Sequence, residues 1–481
     1  MNDLKTRALK SAKWNSLSVG YTTALQVVQI IWLARLLDPY EWGKMAMAWV
    51  IIRLALPVMQ GGIGQAIIQS KNLSKSQFSS LFWVQMLTGT LAFIGVNALM
   101  PLWVLFFEEA NIRPLLLIGS FSFLLSPPGN VFQALFTRRM EFDKLAFIQL
   151  IGATFDFIIS ILLAYKGLGA LSISWGFLVR NLANTLFSWW MGREDMPGFT
   201  LQFRSIKKML RFGLYEAGNN LVSILSSVVD KAIIGRYLGA YELGLYAIAW
   251  ELAMVPVSRI NPLITRVAYP VLSTVQDQPE KRNLVFQKIT HTLMSINIPV
   301  LLFLGLFPAP ILTIFFGPAW ARGAICLSLL SLLGLGRAFT NLGAGIFLAQ
   351  GHSDVNFSWN IVVSATTALL LITVFPFYCS LESAALVQAV PYWGLLGAWL
   401  WLLRKKGGIS ISPFLRILIR CILFTLPVGF FLLLLDFWNI PDIHKLVIGM
   451  VGSAILYMVT LWIFDRPFVL AIKSWFLLSI K

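Results

Sequence analysis

Charges and clusters of Gly and Pro cut this chain into long apolar runs, and no other feature narrows its possible folds so far. Crossing the hydrocarbon core of a bilayer takes about 20 apolar residues in helical form. Runs of that length lie at 14–34, 43–69, 78–107, 113–135, 145–165, 167–191, 213–235, 243–265, 287–316, 323–349, 356–378, 382–403, 413–435 and 444–464. Strands of a membrane barrel need only about ten residues of alternating character, so continuous runs exclude that solution. The expected fold is an all-α polytopic membrane protein of about 14 transmembrane helices.

Composition agrees. Charged residues are 12% of the chain, against about 25% in soluble domains, and no segment between runs could build a separate water-facing core. The net charge of +17 is spread over many short loops, with no basic cluster interleaved with aromatics, so nucleic acid is not an expected partner. Topology accounts for the excess, because Lys and Arg concentrate on alternate loops. One set holds Lys5, Arg7, Lys10 and Lys13, then Lys71 and Lys75, then Arg138, Arg139 and Lys144, then Arg193, Arg204, Lys207, Lys208 and Arg211. It continues with Arg266, Lys281, Arg282 and Lys288, with Arg404, Lys405 and Lys406, and with Arg466, Lys473 and Lys481. The intervening loops carry few bases and include Glu108, Glu109, Asp436 and Asp442. The loop around His352 breaks the rule, having neither Lys nor Arg. An even helix count with both termini in the cytoplasm follows, and the N-terminal run reads as a retained helix rather than a cleaved signal.

The histidines His291, His352 and His444 are far apart, and Cys326, Cys379 and Cys421 show no C-x-x-C or Cys/His spacing. No metal site, disulfide or cofactor is expected, and the cysteines read as buried packing residues.

An internal repeat carries the most information. Ala34-Arg35-Leu36-Leu37-Asp38-Pro39-Tyr40-Glu41-Trp42-Gly43, continuing to Trp49, recurs as Gly235-Arg236-Tyr237-Leu238-Gly239-Ala240-Tyr241-Glu242-Leu243-Gly244, continuing to Trp250. Arg, Tyr-Glu, Gly and Ala-Trp fall at identical offsets. Each copy follows a basic amphipathic stretch, Lys5 to Lys13 or Arg204 to Arg211, and Pro101 before Phe106-Phe107 is echoed by Pro310 before Phe315-Phe316. The chain therefore reads as two parallel six-helix repeats, 1–200 and 201–406, with two added helices in 407–481. Parallel repeats around a central cleft are a transporter architecture, in which rocking of the halves gives alternating access.

The stretch Leu33 to Pro39 with Trp42-Gly43 resembles a known family, and the likeness is strongest in Asp230-Lys231-Ala232-Ile233-Ile234-Gly235-Arg236-Tyr237-Leu238-Gly239. Leu243-Gly244-Leu245-Tyr246-Ala247 and Tyr269-Pro270-Val271-Leu272-Ser273 add to it. These residues are similar to those of the polysaccharide-transporter branch of the multidrug, oligosaccharidyl-lipid and polysaccharide flippase superfamily, in its colanic-acid and lipopolysaccharide-precursor type. The resemblance covers most of the chain and marks the branch rather than a substrate. It implies a V-shaped pair of lobes in the bacterial inner membrane. It also implies export of undecaprenyl-pyrophosphate-linked sugar units from the cytoplasmic to the periplasmic leaflet. Membrane lipids, a polysaccharide polymerase and export machinery are the further partners this reading brings in.

Ionisable residues inside spans are costly and point to function. Arg53, Arg180 and Arg337 are the deepest bases, and planar guanidinium groups suit the phosphates of such a cargo. Asp156, Glu216 and Glu251 could neutralise them or bind a coupling ion, and spacing leaves both roles open. Asn219 and Asn220 follow Glu216 at helical spacing, while Asn15, Ser18, Thr22, Gln26 and Gln29 make a polar face on the first run. Such faces suit sugar hydroxyls or ordinary interhelical hydrogen bonds. Gly61-Gly62-Ile63-Gly64 and Ser126-Pro127-Pro128-Gly129 are expected to interrupt their helices, as hinges or as close-packing points.

Two rivals were weighed. An ion-coupled multidrug antiporter shares the architecture but needs carboxylates to attract cations, and the first run has none within its span. A polyprenol-dependent glycosyltransferase or polymerase needs a large catalytic loop, which is missing. No nucleotide-binding Gly-rich Lys motif occurs either. The chain is read as a transporter rather than an enzyme.

Overall fold

The computed structural model describes residues 2–70, 72–438, 440–468 and 470, with the side chains of 2–13, 15–17, 263, 266, 267, 269, 270 and 353 left aside. Asn15, Lys71, Arg266, Tyr269, Pro270, Lys473 and Lys481, and the basic side chains of Lys5 to Lys13, therefore lie outside the described set.

Two compact units divide between Gly244 and Leu245. The first contains α1 (Asn2–Leu36), α2 (Pro39–Gln60), α3 (Ile63–Gln69), α4 (Lys75–Ala98), α5 (Met100–Phe107), α6 (Ile112–Ser120), α7 (Ser122–Arg138), α8 (Phe142–Tyr165) and α9 (Leu171–Met191). The long α10 (Phe203–Val255) begins in the first unit and ends in the second. The second unit continues with α11 (Asn261–Thr274), α12 (Pro279–Leu306), α13 (Pro308–Phe315), α14 (Ala324–Ala349), α15 (Ser353–Thr373) and α16 (Phe375–Tyr378). It closes with α17 (Leu381–Gly394), α18 (Leu396–Lys405), α19 (Ile411–Phe437) and α20 (Asp442–Phe464).

Every expected run falls on helix. Among the described residues 10 stretches are long and apolar enough to cross a membrane. The runs outside that set lie on α1, α9 and the two arms of α10, which carry more polar residues. Those helices bear Gln26, Gln29, Arg180, Glu216, Asn219, Asn220 and Glu251. Arg53, Asp156 and Arg337, by contrast, lie on α2, α8 and α14, which are among the ten apolar spans.

Both copies of the motif sit at a break between helical segments. In the first copy α1 ends before Asp38, whose carboxylate caps α2 by accepting from Glu41 N at 2.8 Å, with Pro39 in the first turn. In the second copy the equivalent position is Gly239, which adopts φ 79° and ψ −176° and breaks α10 into two arms. Only glycine takes that conformation at no steric cost. In the first unit α4 packs on α7, and α9 packs on α7 and α8; in the second α12 packs on α14, and α17 packs on α14 and α15. The added α19 packs on α12 and α20, and α20 also meets α13.

The two copies of the motif also touch each other, within the first unit. A Cβ at Gly43 would overlap the carbonyl oxygen of Ala240, and one at Gly244 would overlap that of Pro39. Gly43 and Gly244 hold equivalent offsets, as do Pro39 and Ala240. The contact between the two motif copies is therefore reciprocal. Side chains of the motif fix its surroundings. Glu41 accepts from Ala170 N and from Lys44 Nζ, both at 2.6 Å, and Tyr40 donates to Glu109 at 2.7 Å. Arg236 pairs with Glu108 at 2.5 Å.

Two expectations need correction, and the choice left open at Gly61-Gly62 is decided. Helix α7 runs unbroken through Pro127 and Pro128. Gly89 leaves room for the Pro127 ring, and Thr185 donates to the Leu125 carbonyl of the same turn at 2.7 Å. Gly61 and Gly62 do interrupt their run, at φ 52° and 63°, but a Cβ at Gly62 would strike the Gly213 backbone, which makes this a packing point. Cys379 is exposed, because it sits at the turn after α16, whereas Cys326 and Cys421 are buried as expected.

Candidate functional site

Helices α8 and α9 meet along a seam of small and polar residues at four-residue spacing. Gly152, Asp156 and Ser160 on α8 face Asn184, Arg180 and Gly176 on α9 in antiparallel order. A Cβ at Gly176 would overlap Ser160 Oγ and lie 2.6 Å from Asp156 Oδ1, and one at Gly152 would overlap Asn184 Oδ1. Glycine at both positions lets the backbones close up and brings the charges together.

Asp156 is the hub. Its Oδ1 accepts from Gln29 Nε2 of α1 at 3.2 Å and from Ser160 Oγ at 3.1 Å, while Oδ2 lies 3.6 Å from Arg180 Nη1. The Asp156 side chain is only 15% exposed, so its charge depends on these partners. The Arg180 side chain is 30% exposed, so the pair is half-buried and losing one member costs less than the loss from a fully buried pair. The polar face of α1 is largely directed at α8: Ser18 donates to Gln149 at 3.2 Å, and Tyr21 meets Thr154 at 3.2 Å. Gln29 is buried in this contact and Gln26 is half-buried.

Arg337, on α14, has a different setting. Its guanidinium carbon lies 4.9 Å from the Trp250 ring centroid and 5.3 Å from that of Tyr392, on α10 and α17. Among the described residues no carboxylate comes within ion-pairing distance, and its hydrogen bond is a weak one to Met254 Sδ at 3.9 Å. Nε is buried without an acceptor. Cation–π contacts contribute about 0.5–2 kcal/mol each, less than the several kcal/mol that desolvating an ion costs. The aromatic rings hold the group without neutralising it.

Arg53 is exposed on α2, about 21 Å from the helix start at 1.5 Å per residue. It has no ion pair or hydrogen bond among the described residues. Nor do Glu216, half-buried on the first arm of α10, or Glu251, exposed on the second. Asn219 is exposed and Asn220 half-buried beside Glu216. The structure thus brings together Gln29, Asp156 and Arg180, and leaves Arg53, Arg337, Glu216 and Glu251 without charged partners in that set.

Sequence reasoning missed the partners. Trp250 and Tyr392 lie far from Arg337 in the chain, and Gly176 and Asn184 are ordinary in a membrane helix. The signal that could have found the seam is the run of small or polar residues at 152, 156 and 160 matched by 176, 180 and 184. A cluster around the buried Asp465 in the second unit was missed as well: His291 Nε2 is 3.1 Å from Asp465, which the exposed Arg420 approaches at 3.9 Å. Among the described residues no group of three or more His, Cys, Asp or Glu side chains could hold a metal.

Comparison with known proteins bears on this geometry. The profile of a family described as "Polysaccharide biosynthesis protein" matches residues 32–324. The lipopolysaccharide biosynthesis protein WzxC of Escherichia coli (strain K12) is 29% identical over 359 residues, which are 74% of this chain and 73% of that one. Among solved structures, the lipid II flippase MurJ in an inward closed conformation superposes with a TM-score of 0.78 at 16% identity, covering 94% of this chain and 99% of MurJ. A multidrug resistance transporter of the MATE family, inward-facing, gives 0.60 at 14% identity, over 82% of this chain and 96% of that one. The structural likenesses establish the fold.

Proposed function

This chain belongs to the polysaccharide biosynthesis protein family and is a multi-pass bacterial membrane protein, and from that premise we propose that it is a flippase. Its cargo in this reading is an undecaprenyl-pyrophosphate-linked oligosaccharide, carried by alternating access from the cytoplasmic to the periplasmic leaflet of the inner membrane. Both chain termini then lie in the cytoplasm. WzxC is named for lipopolysaccharide biosynthesis and MurJ for flipping lipid II, so a lipid-linked glycan is the cargo class that fits both.

The observation that carries the proposal is basic charge in apolar helices, at Arg53 and Arg337, with no ion-pairing carboxylate among the described residues. A lipid diphosphate cannot cross bare hydrocarbon, and guanidinium groups supply the charge-assisted donors it needs. Arg180 is a third donor, sharing its charge with Asp156. Glu216 and Glu251 are placed here as counter-ions or coupling groups, and Asn15, Gln26, Gln29, Asn219 and Asn220 as partners of sugar hydroxyls. A polymerase and export machinery would receive the delivered units.

Removing the chain from cells tests this reading. Lipid-linked repeat units are expected to accumulate on the cytoplasmic leaflet. A normal periplasmic supply would reject the flippase, and normal supply with heightened drug sensitivity would favour the multidrug antiporter.

A further inference from the structure

The added helices α19 and α20 are joined to the repeat at both ends, and the two joints differ in kind. One is apolar, a cluster that includes Phe307, Ile311, Leu432, Leu435 and Leu446. The other is ionic. His291 Nε2, on α12, lies 3.1 Å from Oδ2 of Asp465, the residue after α20, and these side chains are 16% and 8% exposed. Arg420 of α19, about half exposed, approaches the same oxygen at 3.9 Å and donates to the Phe464 carbonyl at 2.7 Å. The Phe468 ring covers the imidazole, with centroids 4.1 Å apart.

The distance requires a proton. A neutral imidazole has one N–H and one bare nitrogen, and a carboxylate only accepts. His291 Nε2 and Asp465 Oδ2 are both buried and have no other hydrogen-bond partner among the described residues. Their lone pairs would repel unless a proton lay between them, and with Arg420 beside the carboxylate that proton belongs on Nε2. Asp465 and Arg420 are the charged groups that face His291 among the described residues. Cys421 of α19 and Tyr457 of α20 sit one turn along α12, against Ser295, and the other elements packed on α12 bring no titratable group to the imidazole in that set. Lys288, Arg416 and Arg466 are neighbours in the chain but are exposed. A second proton would therefore bury an imidazolium where the carboxylate is already balanced, and taking a further charge out of water is unfavourable.

We propose that His291 and Asp465 form a proton-binding site that latches the end of α20 to α12: one proton on Nε2 keeps it closed, and a second, taken from water on Nδ1, opens it. Arg420 sets this sense by balancing the carboxylate. The apolar joint does not titrate, so acid frees one end of α20 while the other stays packed. What the chain transports does not enter this inference.

The test uses the full chain in lipid nanodiscs, melted at about pH 8 and about pH 5.5, on either side of an ordinary imidazole. The unaltered protein should melt several degrees lower in acid. His291→Gln places an amide N–H where Nε2 stands and does not titrate, so it should match the unaltered melt at the higher pH and lose most of the acid fall. Arg420→Gln removes the balancing charge and makes an imidazolium welcome, so acid should hold or raise its melting temperature. Opening is read separately at Cys421, which is buried beside the latch. In a Cys326→Ala, Cys379→Ala background, a membrane-permeant maleimide should label Cys421 several-fold faster in acid when His291 is present than in His291→Gln, with equal rates at the higher pH. The same acid fall in His291→Gln as in the unaltered protein, an undiminished fall in Arg420→Gln, or equal labelling in acid with and without His291 would overturn the latch. Should His291→Gln not fold, the sign of the acid effect in Arg420→Gln decides the matter.

Discussion

Arg180 and Arg337 are single arginines on helices of the two units, and their surroundings are opposite in kind. Arg180 faces a carboxylate that is itself tied to α1 and α8, so its charge joins three helices. Arg337 faces two aromatic rings and no carboxylate among the described residues. A paired charge stabilises the helices that hold it only while both partners remain, whereas an unpaired one is a standing cost that a ligand or water must offset. The contrast teaches that depth in a span does not by itself mark a binding residue. The partner does.

That comparison can be broken at several points. The largest effect is expected from Arg180→Gln, which leaves the Asp156 carboxylate without its cation and should lower stability by about 2–3 kcal/mol, between the values for exposed and buried pairs, read as a fall in melting temperature in detergent. Adding Asp156→Asn should recover much of the loss, and an unchanged melt in the single variant would show that the pair carries no weight. Gly176→Leu comes next, at about 2 kcal/mol, because the new side chain forces α8 and α9 apart; low abundance of the purified protein would report it. Gln29→Leu removes one hydrogen bond to a charged group and should cost about 1.5 kcal/mol, measurable by the same melt. Smallest is Arg337→Gln, where lost cation–π contact and relieved desolvation oppose each other, leaving stability within about 0.5 kcal/mol of the starting value. A large loss there would mean that Arg337 is structural, like Arg180.

The helices were legible in the sequence because lipid demands long apolar runs, and every run found a helix. The joint between the first two helices of each repeat was legible because the motif falls between two apolar runs in both copies, and there Asp38 caps α2 and Gly239 breaks α10. The seam was not. Asp156 and Arg180 were singled out separately, but their pairing depends on Gly152 and Gly176 letting two backbones approach, and nothing near Asp156 in the chain announces that. Gln29 read equally well as a sugar contact or a helix contact, and it hydrogen-bonds α8. The prolines of α7 misled because the helix runs on through them, with Gly89, from elsewhere in the fold, leaving room for the Pro127 ring. The motif itself was recognised, yet its reciprocal glycine contact could only be seen once both copies were placed.

The account stands or falls on transfer of a diphosphate-linked sugar across a membrane by this protein, with Arg337 involved. The purified chain, reconstituted in liposomes with a fluorescent polyprenyl-diphosphate sugar in one leaflet, should move the probe to the other faster than protein-free liposomes do. Arg337→Gln should slow that transfer about tenfold or more without changing the melting temperature. Transfer no faster than in empty liposomes, or an Arg337→Gln protein that moves the probe at the original rate, would contradict it.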